Sequence, residues 1–143
     1  GGGGMTVRLA VPRLDVGLVT DDAEAALAFW RDLLGFPVVG EVSFPGFTIR
    51  RLAVGESILR IVVPDTPAPR TASTDGFASQ TGLRYVTLQV ENLFEIFEKA
   101  KAAGYPTPHP PREIRPGTWA AQIEDGAGTT VELQQTGVST SSA

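Results

Sequence analysis

The chain has 143 residues, a net charge of −4 and no cysteine. That length suits one domain with a proper core, or two small modules sharing one, and the missing thiols exclude disulfides, thiolate metal sites and cysteine nucleophiles. The arginines are scattered rather than clustered, which argues against nucleic acid as a partner, and no apolar run approaches the roughly 20 residues of a membrane helix.

Gly1 to Gly4 read as a cloning scar and are set aside, with Met5 as the natural start. The stretch after Met5 is too polar for a signal peptide, so the expectation is a soluble, cytoplasmic protein with no membrane partner. Arg13 to Thr20 alternates, with Leu14, Val16 and Leu18 on one face and Asp15, Gly17 and Val19 on the other. Such a period of two predicts a half-buried strand. Asp21-x-x-Glu24 resembles a capping box, and Ala23, Ala26, Leu27, Trp30, Leu33 and Leu34 then form one helical stripe. Gly35 stands where a left-handed C′ residue belongs, and Pro37 prevents continuation. Val38–Phe44, Phe47–Val54 and Ile58–Pro64 read as strands, separated by the turn signals Pro45-Gly46 and Gly55-Glu56-Ser57.

Asp65 to Thr81 is rich in Pro, Thr, Ser and Ala without a period, and predicts a partly mobile linker. The order then repeats. Leu83–Val90 predicts a strand, and Asn92-x-x-Glu95 a helix cap followed by the stripe Leu93, Ile96, Phe97, Ala100 and Ala103. Pro106–Pro116 is a proline-heavy crossing whose strand content the pattern leaves open. Thr118–Glu124 and Thr129–Gln135 predict strands around the turn Asp125-Gly126-Ala127-Gly128. Thr136–Ala143 is a polar tail expected to fray.

The segment LDVGLVTDDAEAALAFWRDLLGFP thus has a worn copy in RYVTLQVENLFEIFEKAKAAGYP, with Asp15 falling on Tyr85 and Gly35-Phe36-Pro37 on Gly104-Tyr105-Pro106. Internal repetition dictates architecture. Each half reads βαβββ, residues 13–64 and 83–135, within a single domain spanning 5–135. One half has a helix for one face of its sheet and nothing for the other, so two must associate.

These residues resemble the vicinal oxygen chelate superfamily, which includes glyoxalases, bleomycin resistance proteins and extradiol dioxygenases. The resemblance is carried by DDAEAALAFWRDLLGF after a first strand, the restart GLRYVTLQVENL and the closing IEDGAGTTVELQQ. It implies an α+β fold of paired βαβββ modules, a mixed sheet curled around a cleft, and a homodimer. It does not settle function, because such a fold hosts several chemistries.

Members with metal place one ligand on the first and last strand of each half, typically His, Glu, His and Glu. Here alignment and strand parity put Asp15, Arg60, Tyr85 and Glu132 at those positions, on the face away from the helices. None supplies imidazole, which Zn²⁺, Fe²⁺ and Ni²⁺ favour with carboxylate. Arg60 is always protonated and offers no lone pair. No metal and no cofactor are therefore expected. Arg60 is instead expected between Asp15 and Glu132, in charge-assisted hydrogen bonds. These either neutralise a cleft without metal or anchor a ligand.

His109, the only histidine, lies in a proline-rich segment and reads as a surface residue or a lip of the cleft. Trp30 reads as core, and Phe94, off its stripe, as exposed or at a subunit contact. Phe44, Phe47 and Trp119 border the expected cleft, where they would either stack on a flat ligand or pack as core. The turn Asp125–Gly128 reads as structural. Three functions are then ranked in order. The first is a metal-independent binding protein of the bleomycin-resistance type for an aromatic, antibiotic-like molecule. The second is a cofactor-free isomerase, cyclase or lyase, with Asp15 or Glu132 as base, Tyr85 as acid and Arg60 stabilising an oxyanion. The third is a metal-dependent, glyoxalase-like lyase or isomerase.

Overall fold

The computed structural model describes residues 6–138. The expected scar and start at 1–5, and the last part of the polar tail at 139–143, lie outside the described residues. The first half contains β1 (Val16–Val19), α1 (Ala23–Leu27, continuing as a π-helical turn over Ala28–Leu33), β2 (Val38–Phe44), β3 (Phe47–Val54) and β4 (Ser57–Pro64). After a 3₁₀ turn at Phe77–Ser79, the second half contains β5 (Tyr85–Gln89), α2 (Leu93–Ala102), β6 (His109–Arg115), β7 (Thr118–Glu124) and β8 (Thr130–Thr136). The strand orders β1-β4-β3-β2 and β5-β8-β7-β6 are the same in the two halves. In each, the first strand pairs parallel with the last, and the other pairs are antiparallel. Two βαβββ modules of mixed sheet and few helices make an α+β fold.

Several local details differ from the sequence pattern. Asp22, not Asp21, caps α1, its Oδ1 accepting from Ala25 N at 3.0 Å. Asp21 accepts from Ala68 N at 3.0 Å and so ties down the start of the linker. The second turn of α1 widens, as Leu34 N donates to Phe29 O at 3.0 Å, five residues back. The α-helical stripe omits Phe29, yet Phe29 is wholly buried and meets Trp30 and Tyr105 edge-on, both at 5.0 Å between ring centroids. Asn92 makes no capping bond; its Nδ2 donates to Glu95 Oε2 at 2.8 Å. Gln135 of β8 serves α2 instead, accepting from Leu93 N at 2.9 Å and donating to Glu91 O at 2.9 Å. Gly35 and Gly104 end the two helices with φ of 84° and 89°, as a left-handed C′ residue requires.

The proline-heavy crossing resolves as strand β6, which carries Pro110 and Pro111 where its register with β7 shifts between His109 and Arg112. It is an edge strand, the one place in a sheet where proline costs little. Thr136 closes β8 and does not begin the tail.

The segment expected to be partly mobile is held, beyond the Asp21 contact at its start, by the side chain of Arg84. Arg84 Nη1 donates to the carbonyls of Phe77 and Gln80 at 3.1 and 3.0 Å, and Nη2 to that of Ser73 at 3.0 Å and Gly128 at 3.3 Å. Gly128 has φ of 104°, and a β-carbon there would lie 2.5 Å from that of Ala72. Only glycine admits the linker this close to the β7–β8 turn.

Both helices and one face of each sheet share a single core, with Trp30, Phe29, Leu52, Ile61, Ile123 and Leu133 among its fully buried members. Each such side chain contributes about 1.5–3 kcal/mol of hydrophobic stabilisation. The opposite face of each sheet is left open. On the first it is largely apolar, with Val19 62% and Phe44 47% exposed.

Candidate functional site

The open faces carry the positions singled out by the repeat. Asp15, one residue before β1, is held from three sides. Its Oδ1 accepts from Ile58 N at 2.8 Å and lies 3.5 Å from Arg13 Nε, while Oδ2 lies 3.8 Å from Arg60 Nη1. Parallel pairing of β1 and β4 sets Arg60 opposite Gly17, whose missing side chain leaves room beside the guanidinium. The expected Asp15–Arg60 pair is therefore present.

The expected Arg60–Glu132 pair is not. Glu132 belongs to the second sheet, where its Oε1 accepts from Thr87 Oγ1 at 2.8 Å and from Gln134 Nε2 at 3.0 Å. Among the described residues no ion pair joins Arg60 to Glu132, so within one chain the quartet does not assemble as a unit. Each half satisfies its own carboxylate locally, which is the physical reason. Tyr85 lies on the same open face as Glu132, 53% exposed, with Phe77 of the linker edge-on at 5.6 Å.

A cavity of about 300 Å³ opens on this second face, lined by Phe77, His109, Arg112, Ile114, Gln122 and Glu132 among others. His109 thus sits on the lip of a site-facing cavity, exposed at the start of β6. Register places it opposite Gln122, and Gln122 opposite Glu132, so the three form one cross-strand row. Phe77 and Arg112 are site-facing residues that the sequence pattern does not single out. Phe77 was hidden in an aperiodic linker and Arg112 in a segment of undefined strand parity.

The aromatics divide. Phe44 and Phe47 are register partners on the open face of the first sheet, stacked at 5.3 Å with 28° between planes. Trp119 does not border this face. Its parity is that of Ala121 and Ile123, and it packs on Phe94 of α2 at 5.4 Å, its indole nitrogen buried without a partner. The same contact packs Phe94, expected to be exposed or at a subunit contact, against its own chain, half-buried. Trp30 is core, as its stripe implies.

Asp15, Arg60, Tyr85 and Glu132 do not make up the His and Glu ligand set that the resemblance implies for those positions. No cluster of three or more His, Cys, Asp or Glu that could hold an ion occurs among the described residues. The chemistry of the side chains agrees. Asp15 is already engaged by Arg60 and Ile58 N, and a guanidinium repels an incoming cation. On electrostatics, one further carboxylate stands out away from these faces. Burial pushes Asp125 above the usual carboxylate range, against hydrogen bonds from Ala127 N and Thr129 N that favour its charge.

The family model described as glyoxalase/bleomycin resistance protein/dioxygenase superfamily matches residues 13–133. No curated protein matches the sequence. Among solved structures, a glyoxalase/bleomycin resistance protein/dioxygenase domain from Frankia has a TM-score of 0.74 at 15% identity, covering 90% of this chain and 93% of its own. Glyoxalase I of Leishmania major, described as trypanothione-dependent, scores 0.66 at 17% identity, covering 87% of each chain. The fosfomycin resistance protein FosX of Listeria monocytogenes scores 0.62 at 14% identity, covering 93% of this chain and 98% of its own. At these identities the likeness establishes the fold alone. No helix among the described residues is long and apolar enough to cross a membrane.

Proposed function

The chain belongs to the glyoxalase/bleomycin resistance protein/dioxygenase superfamily, and we propose that within it this protein is a metal-independent binder of a flat, aromatic, antibiotic-like small molecule. One observation carries the proposal. The position where a metal ligand would stand on β4 holds Arg60, ion-paired to the Asp15 that would be its neighbour. Asp15 is thereby a poor general base, since its lone pairs already face Ile58 N–H and two guanidiniums. The Phe44–Phe47 stack supplies an apolar platform on the same open face.

The binding unit is a homodimer in this proposal. An apolar sheet face of this extent is costly in water, and a second copy covers it most economically through a closed two-fold contact. The pairing that completes the quartet sets the first-sheet face of one copy, with Asp15 and Arg60, against the second-sheet face of the other, with Tyr85 and Glu132.

Thermal unfolding with a panel of flat aromatic compounds, and with bleomycin beside them, tests the reading. A ligand present at one hundred times its Kd stabilises by about 2.7 kcal/mol, so a binder raises Tm visibly and is recovered chemically unchanged. Conversion of a stabilising compound in metal-free buffer defeats the proposal.

A second reading, a cofactor-free isomerase, cyclase or lyase, is favoured by Glu132. Both of its hydrogen bonds fall on Oε1, and among the described residues Oε2 has none, although it belongs to a side chain lining the second-face cavity. A carboxylate held by one oxygen and open at the other suits a general base, with Tyr85 on the same face as acid. Mass analysis of the panel after incubation separates the two readings.

A further inference from the structure

Strand register places two arginines side by side on the open face of the first sheet. Arg60 of β4 is the partner of Arg51 on β3, and Arg51 of Gly40 on β2. With Gly17 on β1 the row reads Gly17, Arg60, Arg51, Gly40. A β-carbon on Gly40 would lie 3.5 Å from Arg51 Nη1, so this guanidinium reaches across β2 at the one residue without a side chain. A β-carbon on Gly17 would meet nothing within 4 Å, which leaves open space at the other end of the row. Both arginines are half-buried.

The charges in this row do not balance. Asp15 is shared between Arg13 and Arg60. Arg51 has no ion pair or hydrogen bond among the described residues, and Glu41, the nearest acid on β2, is taken by Arg50 on the other face. Like charges directly opposite on paired strands are destabilising. The fold itself does not require them. The corresponding row of the second sheet, Thr87, Glu132, Gln122 and His109, holds no arginine at all.

We propose that Arg51 and Arg60 form a two-guanidinium subsite that takes the anionic group, a carboxylate, phosphonate or phosphate, of a small ligand. The assignment rests on the reading of this open face as the ligand side. Planar forks that donate in pairs match an oxyanion with two or three acceptor oxygens. Two residues along the same face, about 7 Å away, Ile49 and Val62 are partners that offer an apolar bed, and Phe44 with Phe47 continue it. The complementary ligand is an aromatic anion, with its charge at the glycine-flanked row and its ring directed toward the phenylalanines.

Biphenyl-4-carboxylate and its neutral isostere biphenyl-4-carboxamide probe this directly by titration calorimetry at low salt. The expected result is an acid-over-amide preference of at least about tenfold, the scale of a hydrogen bond to a charged group. Arg51→Gln and Arg60→Gln should each bring that ratio close to one, while Arg31→Gln, at a helix-surface ion pair with Asp32, should keep it. Should Arg51→Gln fail to fold, Arg51→Lys is read instead, where loss of the fork predicts a reduced preference. Equal binding of acid and amide to the wild type overturns the subsite and leaves the binding-protein reading standing. A preference that survives the Arg51 variants overturns the assignment to this row. Failure of both probes to bind sinks the subsite, and only a panel without any binder sinks the broader reading.

Discussion

The Thr87 hydroxyl donates to Glu132 Oε1 at 2.8 Å across the parallel pair β5–β8. This bond holds within the second sheet a carboxylate that strand parity alone would pair with Arg60. Its counterpart on the first sheet lacks such a hydroxyl, because Gly17 stands at the position of Thr87. Arg60 consequently turns to Asp15, and the two halves, alike in backbone, differ in how each settles its charge.

The energetic weight of the Asp15–Arg60 pair therefore rests on Asp15. Asp15→Ala leaves Ile58 N without its acceptor in a partly buried position, and is expected to cost about 1–3 kcal/mol. Arg60→Leu removes only a partly exposed contact of 3.8 Å and is expected to cost about 1 kcal/mol or less. Urea unfolding of both variants measures the difference. A larger loss from Arg60→Leu than from Asp15→Ala would show that the guanidinium carries structural load beyond this pair.

Assembly is expected to follow the open faces. Light scattering coupled to gel filtration should return about twice the 15.1 kDa chain mass. Val62→Glu, on the apolar face, should shift that mass toward one chain. A wild-type mass equal to one chain removes the dimer and with it the completion of the quartet.

How far the sequence was legible depended on whether a residue answers to its own period or to a distant partner. Both helices and every strand but β6 show in the sequence, because alternation and helical stripes are local signals, whereas the prolines of β6 hide its alternation. Phe29 escaped because the α-helical period leaves it off the stripe, and the π-helical turn in which it is buried breaks that period. Gln135 as the cap of α2, and Asp22 in place of Asp21, escaped because caps are chosen by which side chain reaches, not by spacing alone. At the candidate site, parity put Asp15, Arg60, Tyr85 and Glu132 on the open faces. It did not reveal that Thr87 would claim Glu132, nor that Arg51 would stand beside Arg60, since cross-strand register is a long-range property.

Arg84 offers a test of linker order. Its guanidinium satisfies carbonyls of Ser73, Phe77, Gln80 and Gly128 at once. Arg84→Met keeps the stem and leaves those acceptors without it, with an expected loss of about 2–3 kcal/mol. Limited proteolysis should then cut between 66 and 80 in the variant well before it cuts the wild type. Equal resistance would mean that the linker is held by something other than this arginine.

Gly128 tests the same contact from the other side. Gly128→Ala imposes a left-handed φ on a residue with a side chain, about 1–2 kcal/mol, and drives its β-carbon to 2.5 Å from that of Ala72. The close contact is not relieved without moving the linker. Gly126→Ala, also at positive φ but with nothing within 4 Å, should incur the backbone cost alone. Chemical unfolding should rank Gly128→Ala clearly below Gly126→Ala. Equal losses would place the linker away from the β7–β8 turn.

Asp125 should give stability a pH dependence of its own, because burial pushes its carboxylate above the ordinary range. Four groups oppose that push: Ala127 N at 2.8 Å and Thr129 N at 3.0 Å donate to Oδ1, and the Trp30 indole and the residue's own backbone N–H add attraction. The indole nitrogen has no partner at hydrogen-bonding distance, so that attraction counts as electrostatic and not as a bond. Desolvation is the largest influence, and it sets the sign. A carboxyl group whose folded pKa lies above its unfolded value prefers to be protonated in the folded state. It penalises folding least below the ordinary value near 3.9, and stability falls as pH rises from there through the folded value, then levels off. Asp125→Asn retains an oxygen for both backbone donors and has no charge to desolvate. Its Tm relative to wild type should therefore rise across that window and settle at a constant advantage by neutral pH. Subtracting the two curves cancels the other carboxylates. A variant whose relative stability falls with rising pH would show that the two backbone donors, with the indole, outweigh burial, and that the charged form is the one this turn was built to hold.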